Sequence, residues 1–170
     1  PGHGGKDPGA FGAGGTVEKE MTLDTALRLA KLLSNAGATV LMTREDDSDT
    51  SLKGIVEFAN NNRADLFVSV HYNAFEQWKI KGTETYYFHP ESKPLAQKVH
   101  QRMTAALGEP DRNAMSVRYY VLRHTTMPAV LIEPAYLTNP DEERLIRSED
   151  FRQKVAAAAF LGVKDYLENK

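Results

Sequence analysis

The chain has 170 residues, 41% of them hydrophobic and 26% charged, which suits one core under an ordinary polar surface. A formal net charge of −2 offers no basic face for nucleic acid, and no apolar run reaches the length of a membrane span. Cysteine is absent, which excludes disulfides and thiolate metal sites and leaves histidine and carboxylates to bind any metal.

The chain opens on a glycine-rich stretch, Pro1 to Glu18, that contains His3 and Asp7. Glycine allows tight turns and close approach, so this loop can fold around something placed beside His3. Pro1-Gly2-His3 reads as the loop that follows a strand, and the expectation is a single domain over 1–170, taken from a larger protein that supplies that first strand. Thr16 to Asn35 predicts a helix, with Leu23, Ala26, Leu27, Ala30 and Leu33 on one face and Gly37 ending it. Thr39 to Thr43 predicts a short strand. Ser51 to about Asn61 predicts a second helix, capped by Ser51.

Leu66 to His71 is almost continuously apolar, as in a strand covered on both faces. Gly82 to Phe88 predicts another strand, and Ser92 to Leu107 a third helix with His100 on its surface side. Gly108 to Ser116 reads as a loop. Val117 to Leu122 and Ala129 to Glu133 read as strands. Asn139 can cap a helix whose first position is Pro140, with Glu142 reaching back to the cap. A last helix runs from Ser148 to about Leu167. Helices alternating with strands predict a three-layer α/β domain with a mostly parallel, twisted sheet flanked by helices.

In open parallel sheets, ligands bind beyond the carboxyl ends of the strands. His71 and Glu133 each end a predicted strand, His3 follows the expected first strand, and Glu18 begins the helix after the first loop. Four polar side chains therefore point to one rim. The expectation is that His3, Glu18 and His71 hold one Zn²⁺ and that Glu133 acts on the attacking water. Each also has a plainer reading. A strand-end histidine is often only hydrogen-bonded, and Glu18 suits the positive end of a helix dipole. Glu133 is harder to explain that way, because a carboxylate after Ala-Val-Leu-Ile is costly unless paired or functional. Asn73, Arg123 and His124 are candidates for substrate contact or support, with turn and surface roles as the alternatives.

Taken in order, Pro1-Gly-His-Gly-Gly-Lys-Asp-Pro-Gly-Ala10, Val17-Glu-Lys19, Thr43-Arg44, Asp65 to Ala74, Gly82-Thr-Glu-Thr-Tyr86 and Tyr120 to Pro140 resemble the zinc-dependent N-acetylmuramoyl-L-alanine amidases of type 3. The resemblance implies a sheet of about six strands, with zinc ligands falling on His3, Glu18 and His71 and the catalytic glutamate on Glu133. It also implies peptidoglycan as substrate and an extracytoplasmic setting, it puts any wall-targeting domain outside this chain, and it says nothing of oligomeric state. The stretch from His71 to Gly82 is too short for the blocking helical insertion of some family members, so an uncovered site is expected. The competing readings are a catalytically silent peptidoglycan-binding module and a zinc peptidase cutting within the stem peptide. All four key residues are present, and the His-Glu-x-x-His helix of many metalloproteases is not.

Overall fold

A computed structural model describes residues 1–168. Apolar spacing sets the helices. α1 (Glu18–Asn35) buries Thr22, Thr25, Ala26 and Leu29, so its inner face is rotated from the expected Leu23, Ala26, Leu27, Ala30 and Leu33, and Leu27 is exposed. α2 (Leu52–Asn61) turns Ile55, Val56 and Ala59 inward. The Ser51 hydroxyl caps α2 by accepting the Gly54 N–H at 3.0 Å. The remaining elements are β1 (Phe67–Val70), β2 (Thr83–Tyr87), α3 (Lys93–Leu107), β3 (Asp111–Ser116), α4 (Tyr120–His124), β4 (Ala129–Glu133), α5 (Pro140–Arg147) and α6 (Glu149–Glu168).

The strand order is β1-β4-β2-β3. β1 pairs with β4 and β2 with β3 in parallel, whereas β2 runs antiparallel to β4. Alternation along the strands then sorts the side chains into two layers. Val68, Val70, Val130 and Ile132 pack with α1, α3 and α6 on one face. Phe67, Ala129, Leu131 and Tyr86 pack with Ile55 and Val56 of α2 and Val121 and Leu122 of α4 on the other.

The sheet departs from expectation in three places. Among the described residues it has four strands rather than about six, and it is mixed. Thr39–Thr43 has the apolar content of a strand but runs without strand pairing. Val117–Leu122 was expected as a strand, yet its buried pair Val121 and Leu122 belongs to the short helix α4, which covers Ala129 and Leu131. Conversely, Asp111–Ser116 looks like a loop because it has no apolar run, but backbone pairing to β2 makes it an edge strand.

Two side chains were also misjudged. His100 is buried, because α3 lies directly on the sheet; its ring meets Thr85 Oγ1 at 3.0 Å and Asp111 Oδ1 at 2.8 Å. Asn139 does cap α5, accepting the Asp141 and Glu142 N–H groups. Glu142, however, does not reach back to that cap. Its carboxylate accepts the N–H groups of Gly82 at 2.7 Å and Tyr136 at 2.6 Å, tying α5 to the loops before β2 and after β4.

β1 has one strand neighbour, β4. Its other side faces a groove of about 940 Å³ walled by Leu29 and Leu33 of α1, Ile55 and Ala59 of α2, Val40, Met42, Leu66 and Val68. His3, Asp7, His71, Tyr119 and Glu133 line the same groove.

Candidate active site

The site begins with the placement of the first loop. The Gly2 N–H donates to the Val70 carbonyl at 2.8 Å, and the His71 N–H donates to the Ile132 carbonyl at 3.0 Å. These bonds bring His3 beside the end of β1 and set His71 beside the end of β4. Reciprocal Gly4–Asp7 backbone bonds of 2.9 and 3.0 Å close a tight turn. That turn returns the Asp7 carboxylate to His3, with Oδ2 at 2.8 Å from Nδ1. His3 itself sits in the left-handed region at φ 59°, which a non-glycine residue adopts only when its surroundings impose it.

The surroundings are imposed by Arg44. Its buried guanidinium donates to the carbonyls of His3 at 2.7 Å, Gly2 at 2.8 Å and Lys19 at 2.9 Å. The loop must also lie very close to its neighbours. A Cβ at Gly2 would fall 2.1 Å from His71 Cε1, and one at Gly9 2.6 Å from Glu18 Oε2, so glycine is required at both.

Glu18 is the first residue of α1, where the helix dipole favours a negative charge. Its Oε2 accepts the Ala10 N–H at 2.9 Å, and its Oε1 accepts the Tyr72 N–H at 3.2 Å. His3 Nε2 and His71 Nδ1 both stand 3.1 Å from that same Oε1. One ligand atom from each of His3, Glu18 and His71 therefore lies within 4.8 Å of the others, a cluster able to hold a metal ion.

The electrostatics follow from burial and pairing. Burial raises the Glu18 carboxyl, but the His3 and His71 imidazoles outweigh it and hold the pKa down to about 2. Burial lowers the His3 pKa, yet Glu18 and Asp7 together move it upward on balance. At His71 burial prevails over the pairing with Glu18, and the pKa is lowered. Glu133 moves the other way. Burial first, then the charges of Glu18 and Glu84, push its pKa well above the usual carboxylate range.

Glu133 closes β4 and is 8% exposed, and its Oε2 has no hydrogen-bond partner among the described residues. Directly across the antiparallel pairing stands Glu84 of β2. That carboxylate is fully engaged by Arg112 Nε at 2.7 Å, the Tyr136 hydroxyl at 2.8 Å, Asn73 Nδ2 at 2.7 Å and the Tyr86 hydroxyl. Two buried carboxylates thus sit side by side, one saturated with donors and the other with a bare oxygen.

The structure clusters His3, Glu18 and His71, and Glu133 lines the same groove as the two histidines. It does not gather the other candidates there. Asn73 spends its amide on Glu84 and its Oδ1 on the Ala74 N–H at 2.8 Å. Arg123 and His124 end α4 on an exposed surface. The His124 ring rests on Tyr120, 4.3 Å between centroids, and the Arg123 carbonyl meets His89 Nε2 at 3.0 Å. Sequence reasoning assigned no role to Asp7, Arg44, Glu84 or Glu143. The first three lie inside the quoted motifs. Glu143, whose carboxylate accepts the Gly14 N–H at 2.8 Å and the Thr16 N–H at 3.2 Å, could be found only from the fold. Between His71 and Gly82 the chain forms no helix.

A family model described as N-acetylmuramoyl-L-alanine amidase matches residues 1–165. The chain belongs to that family. It is 36% identical over 170 residues to the N-acetylmuramoyl-L-alanine amidase LytC of Bacillus subtilis, an alignment spanning 98% of this chain and 34% of that protein. It is 32% identical over 187 residues to the germination-specific N-acetylmuramoyl-L-alanine amidase of the same organism, spanning 100% of this chain and 78% of the relative. The chain thus spans about a third of one curated relative and most of the other. Among solved structures, the N-acetylmuramoyl-L-alanine amidase of Clostridium difficile 630 superposes with a TM-score of 0.97 at 38% identity, covering 100% of this chain and 95% of that one. The catalytic domain of CwlV from Bacillus (Paenibacillus) polymyxa gives 0.96 at 40% identity, with 99% and 96% covered.

Proposed function

We propose that this chain hydrolyses the amide between the lactyl group of N-acetylmuramic acid and the L-alanine of the stem peptide, using one Zn²⁺ held by His3, Glu18 and His71, with Glu133 as the catalytic residue. The observation that carries this is the unpartnered Oε2 of buried Glu133, a residue of the groove that His3 and His71 of the three-residue cluster also line. A buried carboxylate oxygen without a partner is costly and needs a reason. A water or substrate group at that point supplies one.

The donor set fits zinc. Two imidazole nitrogens and one carboxylate oxygen leave a fourth tetrahedral position, the pattern of a catalytic rather than a structural site. The Asp7 carboxylate on the far nitrogen of His3 completes the carboxylate–histidine arrangement that orients metal-binding imidazoles. When bound, zinc supplies Lewis acidity, lowering the pKa of a coordinated water and polarising a carbonyl.

Glu133 does the proton work. Its raised proton affinity suits a group that takes a proton from the attacking water and returns it to the departing amine nitrogen of L-alanine. Glu84 keeps the neighbouring ground negative while its own charge is satisfied by four donors, so it does not compete for that proton. The reading places the protein outside the cytoplasm, where peptidoglycan lies. No helix among the described residues is long and apolar enough to cross a membrane. The silent-module and peptidase readings have less behind them, since His3, Glu18 and His71 cluster, Glu133 lines the groove that His3 and His71 also line, and the family is one of amidases.

The test is mass spectrometry of muropeptides incubated with the chain. Stem peptides beginning with L-alanine should appear, stop with a chelator and return with Zn²⁺. Cuts within the stem peptide would replace this reading with the peptidase.

A further inference from the structure

One more side chain lines the groove beside Glu133 and belongs to no structural bond. Tyr119, the residue before α4, is 45% exposed. It shares the groove with His3, His71 and Glu133. Among the described residues its hydroxyl has no hydrogen-bond partner. Its ring packs on one neighbour. It stands edge-on to Tyr86, 5.4 Å between centroids at 86°. Tyr86 in turn is buried and donates its hydroxyl to Glu84. Glu84, Tyr86, Leu131 and Glu133 lie on one face of the β2–β4 pair, in the register Glu84 to Glu133 and Tyr86 to Leu131. The saturated Glu84 network therefore supports Tyr86, and Tyr86 supports Tyr119.

The chemistry of the hydroxyl is equally constrained. Burial and the nearby charges of Glu133 and Glu84 keep it protonated, so it faces the groove as a donor. Glu133, whose buried Oε2 has no partner among the described residues, lines the same groove, and the two groups do not bond each other. An unbonded donor and an unbonded acceptor on one groove leave space for a group that carries both partners. An amide under attack is such a group: its carbonyl oxygen accepts, while the incoming water and the leaving nitrogen exchange protons.

We propose that the Tyr119 hydroxyl donates a hydrogen bond to the carbonyl oxygen of the scissile amide, and that this bond strengthens as the oxygen gains negative charge. The inference rests on the amidase reading above. Tyr119 keeps its proton throughout; the water proton passes to Glu133 and then to the amine. A donor that tightens only as charge develops raises kcat more than it lowers KM.

The experiment is steady-state hydrolysis of a defined muropeptide by the zinc-loaded chain and its Tyr119→Phe variant, with zinc content and thermal midpoint measured alongside. Phenylalanine keeps the ring and its edge contact on Tyr86 and removes only the hydroxyl. The expected result is a kcat lower by about 10- to 100-fold, with KM changed less than about threefold, at the lower end of what losing one oxyanion donor costs. Zinc content and midpoint should match the parent. Unchanged kcat would overturn the proposal, as would a rise in KM alone. Tyr119→Trp, which supplies an indole N–H donor, should recover part of the loss; a loss with Phe that Trp leaves undiminished would count against a hydrogen-bond donor at this position. If the parent chain releases no L-alanine-terminated peptide, the amidase reading itself fails, and this inference falls with it.

Discussion

Arg44 anchors the loop that carries His3 into the His3–Glu18–His71 cluster, although it makes no hydrogen bond to any of the three clustered side chains. Its side chain is buried, and it donates to the carbonyls of His3, Gly2 and Lys19, with a further bond to the Asp46 carbonyl at 3.0 Å. Hydrogen bonds from a charged donor contribute about 1.5–3 kcal/mol each, which bounds the gross effect of four at roughly 6–12 kcal/mol. Water entering the space left by alanine can re-satisfy the outer carbonyls. The net loss for Arg44→Ala should then be about 3–5 kcal/mol, the usual cost of removing one member of a buried polar network. That is a large share of a domain's stability, roughly 5–15 kcal/mol. Arg44→Lys gives a variant that folds if alanine does not. It keeps the charge but not the planar fork, and should lose about half as much. The assay is urea unfolding of metal-free protein, read as a shift in midpoint at constant slope. Released from its anchor, His3 can leave the left-handed conformation, so zinc affinity should also fall by at least about tenfold. An Arg44→Ala protein within about 1 kcal/mol of the parent would refute this account of the loop.

Three other substitutions probe the site directly. Glu133→Gln should retain zinc by metal analysis and lose at least about 10²-fold in muropeptide turnover, whereas appreciable residual rate would remove Glu133 from its role. Asp7→Asn weakens the partner of His3 Nδ1 and should lower zinc affinity about 10- to 100-fold in a competition titration; unchanged affinity would show that the 2.8 Å contact does not orient the ring. Glu18 predicts the acid limb of the metal-free protein. Its folded pKa of about 2 lies below the usual 4.5, so its contribution is present above pH 4.5 and lost as pH falls towards 2. The shift is worth about 3 kcal/mol at most, and Glu18→Gln should flatten the stability profile across that window. Parallel profiles for the two proteins would contradict it.

Local chemistry was enough to read much of this molecule. The inward positions of α2 and α3 follow from residue spacing, as do the Ser51 and Asn139 caps, whereas α1 buries Thr22, Thr25 and Leu29 and leaves Leu27 of the expected stripe exposed. The run Ala129–Ile132 announces a strand buried on both faces, and Glu133 after it announces a carboxylate with something to do. These are patterns within one segment, and a segment's own periodicity records which side it will bury.

What the segments do to one another is a different kind of information. The edge strand Asp111–Ser116 has no apolar signature, because its order comes from backbone bonds to β2 rather than from buried side chains. Thr39–Thr43 has the signature and no strand beside it. Val121 and Leu122 read equally well as strand or helix, and only the shape of the space above Ala129 and Leu131 chose the helix. Arg44 and Glu143 hold the first loop from 41 and 127 positions away, at His3 and Thr16 respectively. The same holds for Glu84. Sequence shows a carboxylate in a strand, but its meeting with Arg112, Tyr136, Asn73 and Tyr86 depends on a register that no single segment encodes. Residue types and spacing therefore named four candidate groups, three of which the fold clusters while the fourth lines the same groove. Their supports became visible only when the sheet's register and the packed loops brought distant donors to shared acceptors.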